Sequence, residues 1–179
     1  GKEAPIYANI EGNLIPNGNF GDYNIYGDPD ENASKSVGWF GYQFGVEAND
    51  AVEGWSARMK NGWSGNSALN NKFPVESGKT YQISFYAKWL GPKGSVKMTF
   101  KDYDAIVAWE AAGKPKDSKP PILASTSAVN ADENGNNEWT KVTFDYTVPE
   151  GIANLQLTLW KPDGSSMCLI DEVLAKEKE

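Results

Sequence analysis

From Thr80 to Trp89 the chain sets Tyr81, Ile83, Phe85 and Ala87 at every second position, with Gln82, Ser84, Tyr86 and Lys88 between them. Only extended backbone sends alternate side chains to opposite faces, so this run is a half-buried β-strand. Ser77-Gly78-Lys79 turns the chain into it, and Gly91-Pro92-Lys93-Gly94 turns it out. The same period returns from Ser95 to Tyr103, from Glu138 to Val148, from Asn154 to Trp160 and from Met167 to Leu174. Leu155, Leu157 and Leu159 point inward in the third of these, and Gln156, Thr158 and Trp160 outward. Gly38 to Glu47, Trp55 to Lys60 and Ser67 to Asn70 read as shorter strands interrupted by glycine. Helical periodicity is confined to Asp104 to Ala112, about two turns stopped by Gly113. Strands this numerous, punctuated by turns, imply an all-β chain folded as an antiparallel two-sheet β-sandwich.

A length of 179 residues suits one domain with one core. The expected division is an N-terminal extension over 1–12 and a single β-sandwich over 13–175. An insertion falls at about 103–138, with Ile122 to Val129 as an edge strand. A stretch this long inside a compact domain is either functional or mobile. No run approaches the roughly 20 apolar residues a spanning helix needs, so the chain is not expected to cross a membrane. The opening Gly1-Lys2-Glu3-Ala4-Pro5 reads as a trimmed start from which an export signal has been removed, and the expected location is extracellular or cell-surface.

Several functions are excluded by what is scarce. The chain has no histidine, which removes the commonest general base, the commonest metal ligand and the usual catalytic triads. Net charge is −7, so nucleic acid is not an expected partner. Arg58 is the sole arginine, which nearly excludes bidentate phosphate or carboxylate clamps. Cys168 has no partner for an internal disulfide and reads as a buried structural thiol. No short motif nominates a carboxylate pair for glycoside hydrolysis, and a serine nucleophile would need a lysine base. The chain is therefore not expected to be an enzyme. Asn130-Ala131-Asp132-Glu133-Asn134-Gly135 begins like a calcium-binding helical-hand loop, but its closing glutamate would fall at Lys141, which leaves a polar turn.

Seven tryptophans exceed what a sandwich core of this length requires, so some are expected to be exposed for binding. Trp39 and Trp139 read as core or corner residues, while Trp55, Trp89 and Trp109 are undecided. Trp63, in the loop Asn61-Gly62-Trp63-Ser64-Gly65, is a candidate contact. The outward faces of two strands offer the rest: Gln82, Ser84, Tyr86 and Lys88 on one, Gln156, Thr158 and Trp160 on the other. Flat rings beside neutral amides and hydroxyls match the apolar faces and hydroxyl edges of a sugar. The alternative is that Tyr86 and Trp160 merely cover a sheet.

The order of segments resembles a known family. Asn13-Leu14-Ile15-Pro16-Asn17-Gly18-Asn19-Phe20 is similar to the opening of the jelly-roll carbohydrate-binding modules of families 4, 9, 16 and 22, which are galactose-binding-domain-like. Gly38-Trp39, then Gly65 to Leu69, then Val75 to Phe85, then Trp139 to Phe144 with Val148-Pro149, and finally Ile170-Asp171-Glu172-Val173 follow in that family's order. The resemblance implies a non-catalytic module binding a β-linked polysaccharide or oligosaccharide, the ligand lying between Trp160 and Tyr86. It implies a monomer, appended to a glycoside hydrolase or a bacterial surface protein, and one structural calcium ion near the chain ends. Asp171 matches the acidic ligand of the last strand. Where the family usually has glutamate after the opening phenylalanine this chain has Gly21, and Asp22 would serve from the next position. The competing expectation is a structural or adhesion domain without sugar affinity.

Overall fold

The computed structural model describes residues 9–22, 37–60 and 65–179. Among the described residues there are twelve strands: β1 (Phe40–Tyr42), β2 (Phe44–Glu47), β3 (Ser56–Met59), β4 (Ser67–Pro74), β5 (Thr80–Trp89), β6 (Ser95–Val96), β7 (Met98–Asp102), β8 (Ala124–Ser125), β9 (Val129–Asn130), β10 (Thr140–Thr147), β11 (Asn154–Lys161) and β12 (Cys168–Glu177). One helix, α1 (Tyr103–Ala111), follows β7. It starts where Asp102 accepts the Ala105 amide, an N-cap that satisfies one of the four free N–H groups of a first turn.

Two five-stranded antiparallel sheets make the body. The front sheet has the order β1-β4-β11-β7-β8 and the back sheet β10-β5-β12-β3-β2, while β6 and β9 form a separate small ladder. Between the sheets Phe73, Phe100, Leu155, Leu157 and Leu159 of the front meet Ile83, Phe85, Ala87, Ile170 and Val173 of the back in one buried cluster. The alternation read in the sequence is thus the alternation of burial. β5 follows its expected bounds to the residue, and β4 runs on through Phe73 to Pro74. The expected edge strand over Ile122 to Val129 divides, with β8 closing the front sheet and β9 pairing with β6. Trp39, Trp55 and Trp89 are buried. The 132–137 segment is a polar turn, with Gly135 N donating to Asp132 O.

The opening motif works through its asparagines. Asn13 lies against β12 and replaces a missing strand partner: its Nδ2 donates to Val173 O at 2.8 Å, and its Oδ1 accepts from Ala175 N at 2.9 Å. Asn17 is fully buried, donates to the carbonyls of Asp22 and Val37, and accepts the Asp22 amide. Trp39 Nε1 then donates to Asn17 O, and the Trp39 ring stacks on Phe20 with centroids 4.7 Å apart. A Cβ on Gly18 would lie 2.0 Å from Val173 O, so only glycine lets the motif approach the last strand this closely. The packed chain reaches back to Asn9, which donates to Ile15 O and accepts the Gly18 amide.

Asn13→Ala removes both side-chain bonds to β12 and leaves a buried carbonyl and amide unpaired. It is expected to destabilise the fold by about 2–4 kcal/mol in urea denaturation, taking one to two kcal/mol for each orphaned group.

Candidate carbohydrate-binding face

Register aligns the outward side chains of the front sheet in three rows. In the first, Tyr42 on β1 and Trp160 on β11 both stand opposite Ala68 on β4. In the second, Phe40, Asn70, Thr158, Thr99 and Ser125 cross all five strands. In the third, Lys72 and Lys101 flank Gln156.

The first row is a ring platform. Ala68 is too short to separate its neighbours, and Trp160 Nε1 donates to the Tyr42 hydroxyl at 3.1 Å. The Trp160 side chain stays 48% exposed and Tyr42 43%. Two exposed rings side by side form an apolar patch of the kind that marks interaction sites. Gly41 makes the platform possible: its φ is +137°, and a Cβ there would sit 2.2 Å from Ala68 O. Only glycine lets β1 lie this close to β4 and carry both Phe40 and Tyr42 onto the face.

The second row is polar and uncharged. Thr158 Oγ1 donates to Asn70 Oδ1 at 2.6 Å, Gln156 Nε2 reaches the same oxygen at 3.4 Å, and Asn70 Nδ2 donates to Phe40 O. These contacts fix the amide orientations while leaving lone pairs and N–H groups facing outward. Beside them a cleft of about 450 Å³ is lined by Lys97, Thr99, Ile122, Thr158, Trp160 and Pro162, among others. In the third row Lys72 Nζ lies 4.2 Å from the Tyr103 ring centroid. Burial, with Lys119 nearby, lowers the Lys101 pKa from its ordinary value.

The other half of the expected site lies elsewhere. β5 belongs to the back sheet, and its outward side chains leave the sandwich on the side opposite Trp160. Tyr86 and Trp160 therefore cannot grip one ligand between them. The physical reason is simple: both strands turn their apolar faces to one shared core, so their polar faces point apart. The β5 residues are also engaged. Ser84 is buried, Lys88 pairs with Asp50 at 2.7 Å, Gln82 Nε2 donates to Asp145 at 3.3 Å, and Tyr86 is half-buried with Lys141 5.7 Å over its ring. Trp139 Nε1 joins the same Asp50 carboxylate. Trp63 lies outside the described residues. Gln156, Thr158 and Trp160 are brought together as expected, and Phe40, Tyr42, Asn70, Lys72, Thr99 and Lys101 join them. The signal for the first two was the Phe40-Gly41-Tyr42 alternation, which sets two aromatics on one face of a strand.

No family model matches the chain, and no curated protein matches it in sequence. Solved structures do. A family 4 carbohydrate-binding module superposes with a TM-score of 0.59 at 20% identity, over 92% of this chain and 99% of that one. The enzymatically active domain of tailspike protein 4 of bacteriophage CBA120 gives 0.58 at 14% identity, over 93% of this chain but only 22% of the phage chain. The Clostridium thermocellum endo-1,4-β-D-xylanase 10B N-terminal structure, with its family 22 module and complexed with xylohexaose, gives 0.57 at 15% identity, over 88% of this chain and 28% of that. The fold is the galactose-binding-like jelly roll.

Within this jelly roll the two expected calcium ligands, Asp171 and Asp22, are held in different ways. Asp171 lies at a bulge of β12, next to Glu172 with φ +49°. Its carboxylate is fully buried; Oδ2 accepts the amides of Val52 and Glu53 at 2.9 and 3.1 Å, and Oδ1 accepts that of Glu172 at 2.8 Å. Burial pushes the Asp171 carboxyl up to about 8, against the pull of those three amides. Asp22 is tied through its backbone to Asn17 instead. Among the described residues no three acidic, cysteine or histidine side chains gather to hold a metal, so these donors do not by themselves fit a calcium ion. Asp28, Asp30 and Glu31, acids close to Asp22 in the sequence, lie outside the described residues. Among the described residues, no helix is long and apolar enough to cross a membrane.

Asp171 thus anchors the 52–53 turn to the back sheet. Asp171→Ala strands three amides and is expected to lower stability by about 2–4 kcal/mol, read by chemical denaturation.

Proposed function

We propose that this chain is a non-catalytic carbohydrate-binding module that holds a β-linked polysaccharide or oligosaccharide along the outer face of the front sheet. The observation that carries this reading is the exposed pair Tyr42 and Trp160, bridged over Ala68 beside the amide and hydroxyl row. A pyranose ring has an apolar C–H face that stacks on an indole or phenol, and equatorial hydroxyls that need donors and acceptors in fixed places. Asn70, Thr158, Gln156 and Thr99 supply both without the desolvation cost of carboxylates. None of the three rows contains Asp or Glu, the residues glycoside hydrolysis uses as its acid and base, which supports a binding rather than a hydrolytic reading.

The work such a face does is concentration. Tethered to a glycoside hydrolase or a surface protein, outside the cell, a monomeric module of this kind keeps its companion near the polymer. The jelly-roll neighbours support that setting, since one carries its module beside a glycoside hydrolase module. One calcium ion, with Asp171 and Asp22 among its ligands, stays a proposal that requires further donors from outside the described residues.

Isothermal titration against xylan, mannan and β-glucan oligosaccharides tests the reading. Trp160→Ala should weaken binding at least tenfold, about 1.4 kcal/mol. Tyr86→Ala, on the opposite face, should leave affinity within twofold. The reverse pattern would transfer the site to the back sheet. Binding to no glycan by the intact chain would favour an adhesion or structural domain. A second expected outcome follows from Gly41: Gly41→Ala pushes β1 off β4 and should cost affinity about as much as Tyr42→Ala, while far-UV circular dichroism stays unchanged.

A further inference from the structure

With 24 acidic against 17 basic residues, an average patch of this surface carries more carboxylates than ammonium groups. The front face reverses that balance. Lys72 and Lys101 flank Gln156 in the third row, Lys97 lines the cleft with Trp160, and Lys119 is close enough to Lys101 to repel its proton. Among the described residues none of these four has a carboxylate within ion-pair distance, so their charge is left uncompensated by any direct partner. The acids nearest in the chain are already committed: Asp102 caps α1, and Asp104 accepts from Asn154.

The arrangement is also ordered. Lys72 is held over the Tyr103 ring, and Lys101 is half-buried between strands β11 and β8. Their backbones are two strand spacings apart, about 9.6 Å, so the two flexible ammonium groups can meet one anionic group or successive groups along a chain. A half-buried ammonium beside another cation is electrostatically unfavourable until an anion arrives. The only guanidinium, Arg58, sits in the back sheet paired with Glu47, so recognition here is by point charges rather than bidentate forks.

We infer that the ligand of this face is an anionic polysaccharide whose carboxylate or sulfate groups are held by Lys72 and Lys101 while its sugar rings stack on Trp160 and Tyr42. This rests on the carbohydrate-binding reading and narrows it to a substrate class. Lys97 in the cleft and Lys119 near Lys101 add to the positive field of this face and would speed capture of a polyanion.

The test is affinity electrophoresis and titration calorimetry of the intact chain with matched pairs: mannan and polymannuronate, galactan and polygalacturonate, and galactan and a sulfated galactan. At least one anionic member should bind ten or more times tighter than its neutral partner in low salt. That advantage should vanish in Lys72→Gln/Lys101→Gln and in about 1 M NaCl, where the Debye length falls to about 3 Å. The uronate and sulfate arms separate the two sources of charge. Neutral chains binding as well as charged ones, with affinity indifferent to the lysine changes, would overturn the inference and leave the sugar-binding reading standing. Binding to neither class would remove both.

Discussion

A two-sheet sandwich has a single interior, and every strand in it must give one face to that interior. Each strand's other face is thereby committed to one of two outer surfaces that never meet. This constraint governs everything proposed for the chain. It places Leu155, Leu157 and Leu159 against Ile83 and Phe85, and in doing so sends Trp160 and Tyr86 in opposite directions. A ligand-binding face must then be assembled across one sheet, from neighbours in register, and the front sheet supplies rings at one end and lysines at the other.

The two outer surfaces have different characters because their polar residues are used differently. On the back, Lys88, Asp50 and Trp139 close on one another, Gln82 meets Asp145, and Asp171 is consumed by the amides of a crossing turn. On the front, hydrogen bonds run sideways among Asn70, Gln156 and Thr158 and leave outward capacity unused. The back holds the sandwich shut, with Asn13 stapling the start of the chain to its last strand. The front remains available.

Much of this was legible in the residues. Period-two runs gave the strands, the absence of histidine removed whole classes of chemistry, and the ordered segments from Asn13 to Val173 pointed to the jelly roll. Trp160, Thr158 and Gln156 were found because alternation within one strand is a local property. Sheet membership is not local: nothing in β5 or β11 alone states that their hydrogen-bonding neighbours differ, since that depends on β4 pairing with β11 and β12 with β5, each across about ninety residues of chain. Tyr86 was therefore assigned to the wrong surface by an argument correct within each strand. Tyr42 and Asn70 were passed over for the same reason, being remote in sequence from the tryptophan they serve. The acidic residues at 22 and 171 were joined by resemblance; Asp171 accepts the amides of Val52, Glu53 and Glu172, while the backbone of Asp22 is held by the Asn17 side chain.

Ala68 touches no proposed hydroxyl, yet it sets the gap across which the indole and the phenol are bridged. A bulkier residue at that one position would wedge the rings apart, dividing a continuous shelf into two shallow ledges. The width of the shelf is thus adjustable through a methyl group lying beneath it, so one substitution could reshape this surface with every ring and amide upon it left in place.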